Sequence, residues 1–483
     1  MIFTDVDHPY AQLSELPMDL SEFLVGLVHG SIELAQPQFP DIAGWSWDGH
    51  EFSAQGVELE VTDDKLTMVV HADERDAHCN IWTACSALNR PCTLFFRDGS
   101  ELRARIMNQE RISGNPFSGH ATLTRRFGLY HWEWVPRDGC SFWIGRVTGA
   151  HFDDSNLVTI ALTQASRHCS ARHLRVEGRN VLYLLCSKAD DVFLIIDTRA
   201  DAQNLRFVHG EFRALQFALG SWLGLSMLRA VTLVGNVIGA AGLSLEDCRK
   251  DDVRRCPVPE LLATGRWTAA LASRVAKTLA NEDDESSPVR LGITAYLDSL
   301  SGHVHKRYLL AQIAVEAIAG EILRDDQNRV LGLTRDTSKW RDFVNDHENQ
   351  IRALARDDAS AEKLLNKLRH NVHESPKGDL VLAALDRLQI TIPEVIKKEL
   401  KERNSVAHEF VMFHGDGFDV QELADRIARI QTLLTSMIAK LVGYTGPVVG
   451  WELENGQWKE MDWCGMEEMP DAHVRFLAKG SNQ

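Results

Sequence analysis

The hydrophobic period of this chain changes once, at the run Asn281-Glu-Asp-Asp-Glu-Ser-Ser-Pro288, and that change commits it to a two-part architecture. The run is polar, acidic and closed by proline, as a linker or exposed loop is. Before it, from Gly44 to about Asp197, short strand-like stretches alternate with turn residues: Gly56 to Val61, Lys65 to Val70, Cys92 to Phe96, Leu102 to Met107, Asn180 to Cys186 and Val192 to Ile196. Asp48-Gly49 and Asp98-Gly99 stand between such stretches as hairpin turns do. After it, apolar residues recur at helical spacing in Tyr308 to Leu323, Trp340 to Leu354, Ala361 to Leu368, Leu380 to Leu388, Pro393 to Phe413 and Val420 to Val442. The expectation is an α+β multidomain protein, with a sandwich or barrel-like β-rich half followed by an all-α bundle of five or six helices.

The boundaries follow from the same pattern. A β-rich N-terminal domain takes 1–250 and a helical linker region, with a helix from Leu261 to Ala280, takes 251–304. The helical bundle takes 305–445 and a C-terminal hairpin tail 446–483. Ser338 and Asp419 read as helix starts and Gly443 as a stop. A chain of 483 residues agrees with several domains, since single cores stop growing at roughly 250 to 300 residues. The apolar stretch Leu215 to Leu245, with only Arg229 charged, is long enough to cross a bilayer. Gly220, Gly224, Gly235 and Gly239 punctuate it as turns do, so it reads instead as a buried helix, Glu211 to Leu223, and a buried strand around Val231 to Ile238.

Charge and cysteine usage narrow the function classes. A formal net charge of −16 excludes a surface that coats nucleic acid throughout, because such binding comes from many Lys and Arg contacts to phosphate. Any RNA contact must be local. The nine Cys are scattered and include no Cys-x-x-Cys pair, so no zinc knuckle or disulfide framework is expected, and a reducing cytoplasm fits. The acids of Met-Ile-Phe-Thr-Asp-Val-Asp stand where a signal peptide needs basic residues. Hydrophobic residues at 44% supply ample core material, and Trp132, Trp134 and Trp143 are spaced for a strand pair rather than a base-stacking platform.

Chemistry concentrates in Lys397-Lys-Glu-Leu-Lys-Glu-Arg-Asn-Ser-Val-Ala-His-Glu-Phe410. On a helix Asn404 and His408 lie one turn apart on one face, and Arg403 reaches over the same patch. Metal-free RNA cleavage uses the ribose 2′-hydroxyl as nucleophile, so the protein must move two protons and offset charge on the phosphate. His408 exchanges protons near neutral pH, Arg403 forms paired hydrogen bonds to phosphate, and Asn404 orients one or the other. Lys397, Lys398 and Lys401, just before, offer a local path for the RNA backbone; the plainer reading is a solvated helix face.

These residues resemble the mark of the HEPN ribonucleases: an arginine, a polar residue directly after it, and a histidine a few positions later on the bundle's later helices. The order of a β-rich half before such a bundle is similar to the ApeA-type branch of anti-phage proteins. The resemblance covers under a third of the chain. It implies an HEPN-like fold and metal-independent cleavage of tRNA or another structured RNA. It also implies no cofactor, no metal, a possible phage-derived trigger sensed by the β-rich half, and a homodimer or higher homo-oligomer joining two motifs in one cleft. The rival readings are a scaffold or RNA-binding module without chemistry, and a toxin paired with a separate nucleotidyltransferase antitoxin.

The motif is short, and Arg125 or Arg126 with His131, and Arg167 with His173, satisfy similar spacing in strand-like surroundings. Arg369-His-Asn-Val-His373 is one residue too short. Glu316, amid Ala, Ile and Val, is expected at a helix edge or paired with Arg324 or Lys306. His303 and His305 read as the polar start of the bundle, since two ligands do not define a metal site.

Overall fold

The computed structural model describes residues 36–53, 55–62, 65–73, 90–112, 122–134, 142–148, 158–164, 167–186, 192–198, 202–225, 227–232, 237–242, 257, 266–281, 287–324, 337–370, 377–400, 420–446, 448, 450–454 and 457–461. Turn chemistry sets the register of the first strands. β1 (Ile42–Trp47) and β2 (His50–Ser53) are joined by Asp48 and Gly49 at φ 48° and 85°, the pair of left-handed residues that a two-residue hairpin with the right-handed strand twist requires. β3 (Val57–Thr62) and β4 (Lys65–Asp73) form the next hairpin, and β5 (Pro91–Phe96) and β6 (Glu101–Ile112) the third. In the third, Gly99 at φ 80° donates to the Phe96 carbonyl at 2.9 Å, and the Asp98 carboxylate accepts from the Ser100 amide at 2.8 Å.

The strands continue with β7 (Thr122–Trp134), β8 (Phe142–Thr148), β9 (Val158–Gln164), β10 (Arg167–Glu177), β11 (Val181–Cys186) and β12 (Val192–Asp197). Helix α1 (Val208–Leu219) precedes β13 (Gly224–Leu225), β14 (Leu228–Val231) and β15 (Val237–Gly242). All fifteen join one antiparallel sheet: twelve run in the order β2, β1, β5, β6, β7, β15, β14, β8, β12, β11, β10, β9, and off this path β3 pairs with β4, β4 with β7 and β13 with β8. The long β7 is its joint: β6 runs along one edge, while β4 and β15 divide the other. Alternating residues of β1 and β5 are buried, so Trp45, Trp47, Leu94 and Phe96 share one core with Met68, Leu102, Ile106 and Phe127. Trp132 and Trp134 of β7 are buried in the same core and Trp143 is buried in β8, but the two strands are not the pair their spacing suggested, because β15 and β14 lie between them.

The stretch 215–245 departs from expectation. The helix runs Val208–Leu219 rather than Glu211 to Leu223, because Gly220 at φ 58° ends it. The single strand expected around Val231 to Ile238 is two strands of a hairpin, β14 and β15, that enters the middle of the sheet. No described helix is long and apolar enough to cross a membrane. Glu211 of α1 is buried and accepts from the Asn180 amide at 2.8 Å and its side-chain nitrogen at 2.6 Å, tying the helix to the β10–β11 turn. Helix α2 (Arg266–Asn281) offers Ser273 Oγ to the Glu177 amide at 2.9 Å.

The chain divides into two units, a β-rich one reaching Ala280 and a helical one from Asn281, with short exchanges at 217–221 and 251–259. The stretch 251–304 is thereby shared between them. The helical unit comprises α3 (Pro288–Asp298), α4 (Val304–Ile322), α5 (Thr337–Asp346), α6 (Glu348–Leu354), α7 (Asp358–His370), α8 (Lys377–Arg387), α9 (394–400) and α10 (Val420–Leu441) among the described residues. It is richer in helices than expected: Ser287 and Pro288 start α3 rather than end a linker, and His347 breaks Trp340 to Leu354 in two. Ser338 lies inside α5, whereas Gly443 at φ 68° does follow α10; Asp419 lies outside the described residues. Helix α4 packs against α3, α8 and α10, while α5, α6 and α7 pack on one another. The tail forms the expected hairpin, β16 (Gly450–Glu454) with β17 (Gln457–Met461), and β16 lies beside α10.

Candidate active site

Helix α9 begins after Pro393, whose carbonyl accepts from the amides of Ile396 at 3.1 Å and Lys397 at 3.3 Å. It has two faces. Ile396, Glu399 and Leu400 are buried, whereas Glu394, Val395 and Lys398 are exposed and Lys397 is half-buried. A carboxylate on an inner face needs a cation, and α10 supplies it. Arg429 Nε donates to Glu399 Oε1 at 2.9 Å, and Arg429 Nη2 donates to the same oxygen. The two side chains are 4% and 11% exposed, so this pair is inside the protein. Glu399 Oε2 is buried with no hydrogen-bond partner among the described residues. Burial pushes the Glu399 carboxyl above the usual carboxylate range, against the opposing hydrogen bond and charge of Arg429.

The described partner of Glu399 is thirty residues away on another helix, and from the sequence Glu399 was assigned no role. The signal was Arg429 itself, set between Ala428 and Ile430 on the apolar face of α10. Arg426, one turn earlier, is held by Glu422 at 2.6 Å.

Arg403, Asn404, His408 and Lys401 lie outside the described residues, which stop at Leu400. Of the lysines proposed to meet RNA, Lys398 is exposed and Lys397 pairs with Glu394 across one helical turn. That ion pair is largely open to solvent, and such pairs contribute about 0 to 1 kcal/mol, so a phosphate can displace the carboxylate. The competing motif positions are otherwise engaged or placed. Arg126 lies on β7 and pairs with Glu60 at 3.2 Å; Arg167 and His173 lie on β10. Arg369 is on α7, bonded to Glu348 at 2.7 Å and to Asn345 at 3.0 Å.

No family model, curated protein or solved structure matches this chain. The chemistry must therefore be argued from the residues.

Glu316 of α4 is buried rather than at an edge, and Gln312 Nε2 donates to it at 3.4 Å; Arg324 pairs with Glu321 instead. His303 is exposed at the start of α4 and makes no side-chain capping bond. Among the described residues no three His, Cys, Asp or Glu side chains are grouped to hold a metal ion.

Proposed function

We propose that the chain is a metal-independent endoribonuclease of the HEPN type that cleaves tRNA or another structured RNA by attack of the 2′-hydroxyl. The observation that supports this reading is the anchoring of α9. A buried ion pair fixes that helix against α10, its outer face carries Lys397 and Lys398, and the chain then runs directly into Arg403-Asn404-Ser-Val-Ala-His408. In this reading Arg403 neutralises the phosphate, His408 transfers protons and Asn404 orients them. One arginine and one histidine are thin provision for two proton transfers, so the active form is a homodimer that joins two motifs. The β-rich unit senses a phage-derived trigger, and RNA cleavage then halts translation in the infected cell.

Purified protein incubated with total RNA and EDTA tests the chemistry. Wild type should yield fragments with cyclic phosphate ends, and His408→Ala and Arg403→Ala should yield none. Equal cleavage by wild type and His408→Ala overturns the reading, and so does absence of cleavage by both in a preparation that arrests cell growth on expression. Sequencing RNA ends after brief induction identifies the substrate.

A further inference from the structure

Helix α4 carries an apolar stripe that, among the described residues of the helical unit, is left exposed. Between Arg307 and Glu321 its only charged or amide side chains are Gln312 and Glu316, and both are buried. The exposed face through Ile313 and Ala317, about a quarter-turn away, therefore has no polar side chain between Arg307 and Glu321. Ile313 is 55% exposed, Leu309 and Leu310 are half-buried, and Ala317 is exposed. A helix apolar on all sides normally lies within a larger structure. Gly320 adds a second observation. Glycine in a helix interior costs about 1 kcal/mol relative to alanine, yet a Cβ there would meet nothing within 4 Å. The packing of this chain does not require glycine at that point; close approach by another molecule would.

We infer that this stripe is a self-complementary interface, at which two copies of the chain pair α4 with α4 antiparallel about a two-fold axis through Ile313. The residue order makes the match. Leu309 lies four positions before Ile313 and Ala317 four after it, so each leucine of one copy enters the space left by the small side chain of the other. Lys306 lies seven before and Gly320 seven after, which sets the exposed ammonium of one copy over the glycine and beside Glu321 of the other. A two-fold interface must place large opposite small and cation opposite anion within a single sequence, and this stripe does both. The span from Lys306 to Glu321 is about 22 Å, enough for a coiled-coil-like contact at a small crossing angle. The inference stands apart from the ribonuclease reading, which calls for a dimer without saying where.

Sedimentation of the full chain from about 0.1 to 100 µM, a range that brackets a contact of this modest size, is the test. Wild type should dimerise. Ile313→Asp should raise the dissociation constant at least ~100-fold, since two like charges meet on the axis. Its far-UV circular dichroism should not change, because the position is exposed. Lys306→Glu should weaken the dimer about 5- to 10-fold, and adding Glu321→Lys should return it to within about 3-fold of wild type. A wild-type monomer throughout overturns the inference, as does a dimer that Ile313→Asp leaves unchanged. RNA cleavage is read separately: a monomer that cuts RNA overturns both this interface and the dimeric active form proposed above, whereas a dimer that does not cut RNA overturns the ribonuclease reading and leaves the interface standing.

Discussion

Arg429→Met offers the sharpest test of how α9 is held. The substitution keeps the bulk of the side chain and removes the cation, leaving Glu399 with its 4% exposed side chain and no described donor on either oxygen. Such a carboxylate does not stay charged; it takes up a proton. Neutralising a carboxyl that ionises near 4.3 in the unfolded chain costs about 1.4 kcal/mol per pH unit, so the loss is at most roughly 3.7 kcal/mol at about pH 7, reduced by what burial already costs the raised wild-type carboxyl. That agrees with the ~3 to 5 kcal/mol typical for breaking a buried pair. For a unit of this size each kcal/mol moves the midpoint by roughly 2 to 4 °C, so calorimetry should show the helical unit melting lower by up to about 7 to 15 °C. At about pH 5 the same variant should lose only about 1 kcal/mol, because less proton uptake is then forced. Glu399→Met combined with Arg429→Met should recover to within about 1 kcal/mol of wild type, as apolar replacements of buried pairs do. A single variant that loses less than about 1 kcal/mol at neutral pH would show that the pair does not anchor the helix.

Two further outcomes follow from the same region. The Glu399 carboxyl is raised in the folded state, so its contribution to stability is complete below about pH 4.3 and declines as pH rises through the folded value. Glu399→Gln removes that decline, and denaturant melts at about pH 5 and 7 should show wild type gaining more on acidification than the variant; an identical gain would contradict the raised value. Lys397→Glu with Lys398→Glu should weaken RNA binding at every sequence and lower the salt slope by about one per lost phosphate contact. An unaltered slope would remove the lysine face from the RNA path.

Local signals in the sequence were read well where one residue pair dictates one geometry. Asp48-Gly49 supplies two left-handed positions, and the hairpin there is settled without reference to the rest of the fold. Strands such as β5 and β12 were legible because alternation, or an unbroken apolar run, survives in any sheet. Failures arose where one signal has two meanings. Ser287-Pro288 closes a polar run and equally caps a helix: Ser287 Oγ accepts from the Arg290 amide, and proline suits the first helical position. Between Leu228 and Gly242 most residues are apolar because both strands lie inside the sheet, so no polar alternation separates the two strands, and Gly235-Asn236 was the one local signal that could have divided them. His347 interrupts a good helical pattern without glycine or proline, and no propensity announces it.

The site divides along the same line. Lys398 on an outer face is what helical spacing requires, since exposure follows from position alone. The placing of Glu399 depends on a contact between α9 and α10, residues thirty apart in sequence, and helical period on α9 cannot supply that information. A glutamate among Lys397, Lys398 and Lys401 reads as a surface charge until a guanidinium from another element is brought against it. Yet Glu399 lies three residues after Ile396 and beside Leu400, both buried, so the apolar stripe of α9 passes through it. A charged residue on that stripe demands a buried counter-ion, and α10 holds two arginines, Arg426 and Arg429, in its first half. Those two one-helix observations make Arg426 and Arg429 candidates, and the contact between α9 and α10 selects that helix. The choice between them then rests on geometry: Glu422, one turn back on the same helix, already takes Arg426, and Arg429 is left for Glu399.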